Sequence, residues 1–174
     1  MNTLEAIGSV TKVQYFNGQL PTDAQMEKIL QAAQAAPLDL KGYEETKITV
    51  ITDSGMLFGI NYNAQMNLNR ENDQFNYASM YILVSVKLRG TVADGIAYAN
   101  AATVVQNMVL AAVEQGVGAC PLPGPAIAIG NNPELLSILD LGEGQMPVTG
   151  LALGQFDGSY QQSEYTDRLS VRYI

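Results

Sequence analysis

The chain has 174 residues, 47% of them hydrophobic and 15% charged, and nine Lys and Arg against seventeen Asp and Glu give a formal net charge of −8. This suits one globular domain with a real core, and argues against a disordered chain and against a protein that tracks nucleic-acid phosphates. There is no histidine and one cysteine, Cys120, which excludes His-based triads, His-ligated metal sites, imidazole acid–base catalysis and an internal disulfide.

Thr3 to Ile7 reads as a short helix with Thr3 as its cap. The opening MNTLEAIGSV lacks a basic segment followed by an apolar one, so the expected compartment is the cytoplasm. After a polar segment, Gly8 to Gly18, the run Leu20-Pro21-Thr22-Asp23 opens a helix over Asp23 to Ala36. Its residues Met26, Ile29, Leu30, Ala33 and Ala36 are spaced for one buried face, and Pro37 ends it. Leu38 to Glu45 reads as a loop, and the β-branched run Thr46 to Thr52 as a strand. Asp53-Ser54-Gly55 closes that strand and is placed to cap a following helix. Met56 to Leu68 permits the helix, but the asparagines from Asn67 to Asn76 predict that it gives way to a polar loop. Ala78 to Leu88 is apolar nearly throughout, as expected of a strand covered on both faces.

The longest element is the helix expected from Asp94 to Gly116, apolar nearly all round and therefore expected to be buried and central. Asp94, Asn100, Gln106, Asn107 and Glu114 interrupt it too often for a membrane span, and the three amides need partners if buried. Gly116 suits a left-handed cap. Val117 to Leu122 reads as a short buried strand closed by a Gly/Pro-rich loop, Pro121 to Pro125. Cys120, between Ala119 and Pro121, reads as a small buried filler in preference to a nucleophile. A helix from Asn132 through Leu139 and a strand from Gln145 to Leu153 follow, then a polar and aromatic tail, Gln155 to Ile174. Its VRYI ending suits either an added strand on another subunit or a plain surface tail. Together these elements predict one α+β domain, a three-layer α/β/α sandwich around a mixed sheet.

The order of these motifs resembles the nitroreductase family of flavin mononucleotide (FMN) oxidoreductases. The matching residues include Asp94, Gly95, Gln106, Asn107, Leu110 to Ala112, Gly116, Gly118, Cys120, Pro133 to Leu135, Pro147 and Leu151 to Gly154. The resemblance implies a homodimer with FMN at its interface. It also implies transfer of reducing equivalents from NAD(P)H through the flavin to a planar acceptor such as a quinone or nitroaromatic. Where the family has an arginine-rich phosphate segment, this chain has Ser9 to Phe16 without arginine, which leaves Lys12 as the charge and Thr11 and Gln14 as hydrogen-bond donors. Where the family supplies amides after a proline, this chain has LDLKGYEE, with Lys41 as the candidate beside the pyrimidine edge of the ring.

The resemblance also places Pro121, Leu122, Pro123 and Gly124 against the ring near N5, with Leu122 and Gly124 as main-chain donors, since proline has none. Arg168 and Arg172 are the tail candidates for the phosphate. Tyr62, Phe75 and Tyr77 are candidates either to stack on the acceptor or for local packing or dimer contacts. Catalysis would rest on the flavin, with no metal, nucleic acid or membrane as partner. Two other readings remain open at this point: a family fold that has lost FMN and acts as a binding or structural protein, and a flavin carrier.

Overall fold

A computed structural model of the chain describes residues 2–9, 13–39, 41–68, 74–163 and 169–174. The first helix, α1 (Thr3–Ser9), is capped by Asn2 instead of the expected Thr3. Asn2 Oδ1 accepts the Glu5 N–H at 2.9 Å, and the Glu5 carboxylate accepts the Asn2 N–H at 2.9 Å. Helix α2 (Asp23–Gln34) begins at Thr22, where a capping box with Gln25 satisfies two main-chain donors. The segment expected to be loop before the first strand holds one short turn of helix, α3 (Gly42–Glu45).

Strand β1 (Thr46–Ile51) leads into α4 (Ser54–Leu68), whose start is capped as expected: Asp53 Oδ1 accepts the Met56 N–H at 2.7 Å. The helical option for this stretch therefore holds as far as Leu68, and residues 69–73 lie outside the described chain. Strand β2 (Met80–Lys87) is buried along all but its last residue, as its apolar run predicts. The long helix α5 (Asp94–Glu114) ends at Gly116, whose φ of 68° is the left-handed conformation that a glycine adopts without strain. The Val117 N–H reaches the Ala112 carbonyl at 2.9 Å and the Gly116 N–H the Val113 carbonyl at 3.1 Å, which completes a Schellman cap.

After β3 (Gly118–Pro121) the Gly/Pro-rich stretch is a helix, α6 (Pro123–Gly130), where the sequence reading expects a loop. Proline at the first helical position has no N–H to leave unpaired and a φ already set for helix, so the run of prolines starts this element. Helix α7 (Pro133–Leu139), capped by Asn132, and strand β4 (Gln145–Gly154) complete the order.

The four strands lie in the order β1-β2-β4-β3, and each neighbouring pair is antiparallel. The α+β class and three layers hold; among the described strands the sheet is antiparallel, not mixed, because β2 and β3, which run the same way, are kept apart by β4 between them. On one face Ile82, Val84, Leu151 and Leu153 pack against α2 and α5. On the other, Tyr81, Leu83 and Ala152 pack with Ile60 of α4 and Ile129 of α6.

Helix α5 has the length and apolar content of a membrane span, but its Ala101, Val104, Met108 and Ala112 are buried against α2 and the sheet. Its burial is one-sided, which corrects the all-round burial expected from sequence: Tyr98, Ala99, Ala102 and Gln106 face outward. The other amides are partnered, Asn100 with Asp39 and Asn107 with the Ala32 carbonyl at 3.1 Å.

Leu151 is fully buried in the α5-side core. Leu151→Ala is expected to cost about 2–5 kcal/mol, through lost burial and a residual cavity, read as a lower midpoint in urea unfolding. A loss under about 0.5 kcal/mol would show that the layer is not packed as described.

Candidate functional site

The corner between β3 and α6 is unusually poor in main-chain donors. A helix start exposes its first four N–H groups, here those of positions 123 to 126. Pro123 and Pro125 have none. The N–H of Ala126 acts on the Tyr81 phenol, lowering its pKa against the effect of burial. That leaves Gly124, whose N–H has no partner among the described residues. The Leu122 N–H, expected as a second donor, is committed to the Gly150 carbonyl at 2.8 Å, one step beyond the end of the β3–β4 ladder. Pro121 and Leu122 are half-buried and Pro123 is exposed, so the corner presents an apolar edge with one uncommitted donor.

Two stretches converge on the other end of β3. The Val13 N–H reaches the Ala119 carbonyl at 3.3 Å, and the Ser163 N–H reaches the Gly8 carbonyl at 2.8 Å. Tyr160 fastens the tail to the strand: its hydroxyl accepts the Ala119 N–H at 3.1 Å and donates to the Val117 carbonyl at 2.9 Å. Burial pushes its phenol up to about 12. Phe156 packs edge-on against Tyr160 with ring centroids 5.2 Å apart. Thr11, Lys12 and Arg168 lie outside the described residues. The described residues that flank them, Ser9, Val13 and Ser163, belong to the stretches gathered here. Gln14 is exposed nearby in sequence, and Arg172 stands on the exposed end of the tail.

Lys41 occupies a different corner. The loop before α3 is held down by Asn100 of α5, whose side-chain oxygen accepts the Asp39 N–H at 3.0 Å while its NH2 donates to the Asp39 carbonyl at 3.1 Å. Gly42 is required here, because a Cβ would stand 2.5 Å from Asn100 Nδ2. Tyr43 adds a second tie, its hydroxyl donating to the Ala36 carbonyl at 3.0 Å. Lys41 then lines a cavity of about 360 Å³ with Glu45, Arg89, Val86, Ile96 and Ala97. Glu45 and Arg89, both in its lining, form a two-pronged ion pair.

The Arg89 hydrogen bonds hold the Glu45 carboxyl below its ordinary value, against a smaller opposing effect of desolvation. Three strand spacings separate β1, beside Lys41, from β3, about 14 Å in that direction alone. Lys41 also sits on the α5 side of the sheet and α6 on the other. Within one chain the structure does not bring Lys41 and Gly124 together.

Of the aromatic candidates, Phe75 is a core residue, 5% exposed and packed edge-on against Tyr81 with centroids 5.2 Å apart. It has no free face for stacking. Tyr62 and Tyr77 are exposed, and Tyr77 follows Asn76 in a turn where both have positive φ, 49° and 66°. Cys120 is partly buried against the α6-side core, in keeping with a filler role.

The sequence reading passed over Tyr81, Gly150 and the Glu45–Arg89 pair, and it marked Asn100 only as an amide that needs a partner if buried. For Gly150 there was a signal, since a glycine inside an apolar strand marks a close approach. The hydroxyl of Tyr81 in an otherwise apolar run was another, because a buried phenol needs a partner.

Comparison with known proteins places this geometry. The model of the nitroreductase family matches residues 12–155. A search among curated proteins finds no match. Among solved structures, the FMN-bound nitroreductase of Desulfitobacterium hafniense DCB-2 superposes with a TM-score of 0.84 at 19% identity, over 100% of this chain and 99% of that one. The FMN-bound nitroreductase of Bacteroides fragilis NCTC 9343 gives 0.82 at 19% identity, over 100% of both chains. The NADPH:FMN oxidoreductase of Vibrio harveyi, complexed with NAD+, gives 0.77 at 22%, over 98% of this chain and 74% of that one. At such identities the superpositions establish the shared fold.

The Glu45–Arg89 pair yields a pH dependence. A carboxyl whose folded value is depressed adds stability above its unfolded value, and loses it as pH falls through the folded one. The difference in Tm between the parent and Glu45→Gln is expected to be small but positive at pH 7 and to close as pH drops below the ordinary glutamate value of 4.5. A difference that stays constant down to pH 3 would contradict the pair.

Proposed function

The chain belongs to the nitroreductase family, and we propose that it works as an FMN-dependent oxidoreductase taking reducing equivalents from NAD(P)H to a planar acceptor such as a quinone or nitroaromatic. The observation that carries this reading is the β3–α6 corner, where one N–H, that of Gly124, is left uncommitted above an apolar edge. A flat heteroaromatic ring with an acceptor at its rim suits such a place. FMN, when bound, supplies the two-electron redox chemistry, which a chain without histidine has no side chains to perform by itself.

The chain's own groups have the remaining tasks. Gly124 donates to the ring, while Pro121, Leu122 and Pro123 shield its edge from water. Lys12, with Thr11 and Gln14, takes the phosphate, and Arg168 and Arg172 add charge to it. Lys41 places positive charge beside the pyrimidine edge, where it stabilises the anionic reduced ring.

Because the sheet stands between Lys41 and Gly124 in one chain, the Lys41 corner belongs to a second copy, and the active form is a homodimer with two shared sites. The uncovered α5 face and the exposed Leu169, Val171, Tyr173 and Ile174 support that assembly, with the last tail residues crossing to the partner. The cytoplasm is the compartment that fits this chemistry and the lone cysteine.

The rival reading, a fold that has lost FMN, rests on the absence of arginine between Ser9 and Phe16. One experiment separates the two. Purified protein mixed with FMN and passed through gel filtration is expected to elute yellow, with about one FMN per chain and bleaching on addition of NADH or NADPH. A colourless protein peak would overturn the oxidoreductase reading in favour of the rival.

Lys12→Ala is expected to weaken FMN at least tenfold, about 1.4 kcal/mol, as loss of a charge-assisted phosphate contact does. Equal affinity in a fluorescence titration would remove Lys12 from the site.

A further inference from the structure

Among the described residues the helices begin alike, with one exception. The residue before each helix accepts the N–H four places on: Ala6 to Asn2 at 3.0 Å, Met26 to Thr22 at 2.9 Å, Glu45 to Lys41 at 3.0 Å, Leu57 to Asp53 at 2.9 Å, Ala97 to Ala93 at 3.3 Å and Leu136 to Asn132 at 3.0 Å. Helix α6 lacks this bond between Ala126 and Leu122. The Leu122 carbonyl is taken instead by the hydroxyl of Tyr81, which donates to it at 2.7 Å, and the Ala126 N–H lowers the pKa of the same phenol. A side chain from the central strand has been inserted into the first turn of a helix in the next layer.

The insertion is built into the sheet. Tyr81 is fully buried, and its ring lies over Gly150 of β4, where a Cβ would come within 2.3 Å of both Cζ and Oη. The same Gly150 accepts the Leu122 N–H at 2.8 Å. Leu122 is thus held at both polar ends of its main chain, by Gly150 through the N–H and by Tyr81 through the carbonyl. Burial raises the Tyr81 phenol far above its ordinary value, so the hydroxyl remains a donor at physiological pH. A neutral buried hydroxyl that served packing alone could have been phenylalanine, which would spare the cost of burying a polar group.

We propose that Tyr81 is a positioning residue for the flavin edge: its hydroxyl, bonded to the Leu122 carbonyl, sets the Pro123–Gly124 peptide so that the Gly124 N–H stays uncommitted and faces the ring. The inference rests on the oxidoreductase reading above. Removing the hydroxyl frees the Leu122 carbonyl to take the Ala126 N–H as in the other helices. The first turn then tightens and carries the Gly124 N–H away from its place. Tyr81 touches neither the flavin nor the reacting atoms in this scheme; it acts through Leu122.

The variant is Tyr81→Phe, which keeps the ring over Gly150 and removes one oxygen. Two readouts are compared with the parent. In the flavin-free protein, the amide resonances of Gly124 and Ala126 in a 15N-correlated NMR spectrum are expected to move, while those of α2 and α5 stay in place. In the FMN-loaded protein, the shape of the visible flavin band is expected to change, and affinity to fall at least about threefold, as loss of one oriented hydrogen bond implies. A purely structural role would lower Tm and leave the bound flavin's band unchanged.

A Tyr81→Phe protein that folds, binds FMN with parental affinity and shows the parental band would overturn the inference. If it does not fold, Tyr81→Trp or Tyr81→Leu is no substitute, and Gly150→Ala serves instead, since its Cβ drives the same ring aside from the opposite direction. An unchanged flavin band in a folded Gly150→Ala protein would likewise overturn it. A parent protein that stays colourless with FMN is a distinct outcome: it sinks the oxidoreductase reading and this inference with it, whereas parental binding with unaltered variants sinks the inference alone.

Discussion

Strands β2 and β4 pair along their length at the centre of the sheet, and where Met80–Leu83 meets Gly150–Leu153 neither face is open to water; the rest of the molecule follows from that constraint. Residues of one parity, Ile82 and Val84 with Leu151 and Leu153, need cover from α2 and α5. Those of the other, Tyr81 and Leu83 with Ala152, need it from α4 and α6. A buried pair of strands leaves no room for unpaired polar groups, so the one phenol in β2 must find a partner in the covering layer. Tyr81 finds it at the start of α6, and the glycine opposite makes the passage. Packing and candidate chemistry therefore meet in one contact.

Most of the layered arrangement was legible in the sequence because it rests on periodicity and on local punctuation. The capping box at Thr22, the cap at Asp53, the Schellman glycine at Gly116 and the apolar run of β2 are all signals carried within a few residues. Helix α6 was not legible, since PGPAIAIG looks like loop until its prolines are placed in the first turn, where missing N–H groups cost nothing. The sheet direction was not legible either: strand pairing is decided between distant segments. The outward face of α5 misled because alanines fit a buried surface and an uncovered one equally well.

The candidate site was half legible. The family resemblance pointed to the Pro121–Gly124 stretch, and of its two expected donors the structure leaves Gly124, because Leu122 spends its N–H on Gly150. What sequence could not supply was distance. Lys41 and Gly124 stand at opposite edges and on opposite faces of the sheet, and only coordinates show that one chain does not join them. For Phe75 the sequence left stacking and local packing both open, and the coordinates decide for packing, since it closes the core beside Tyr81.

The central claim is that each flavin site is made from two chains, with the phosphate end and the β3–α6 corner from one and the Lys41 corner from the other. Subunit mixing tests it directly. Lys12→Ala and Lys41→Ala chains, co-expressed with different tags and isolated as mixed dimers, place both defects in one site and leave the other intact. The account predicts about one FMN bound with parental affinity per mixed dimer, while each variant alone binds weakly at both sites. Mixed dimers with no site of parental affinity would contradict it, as would a Lys41→Ala homodimer that binds FMN as the parent does.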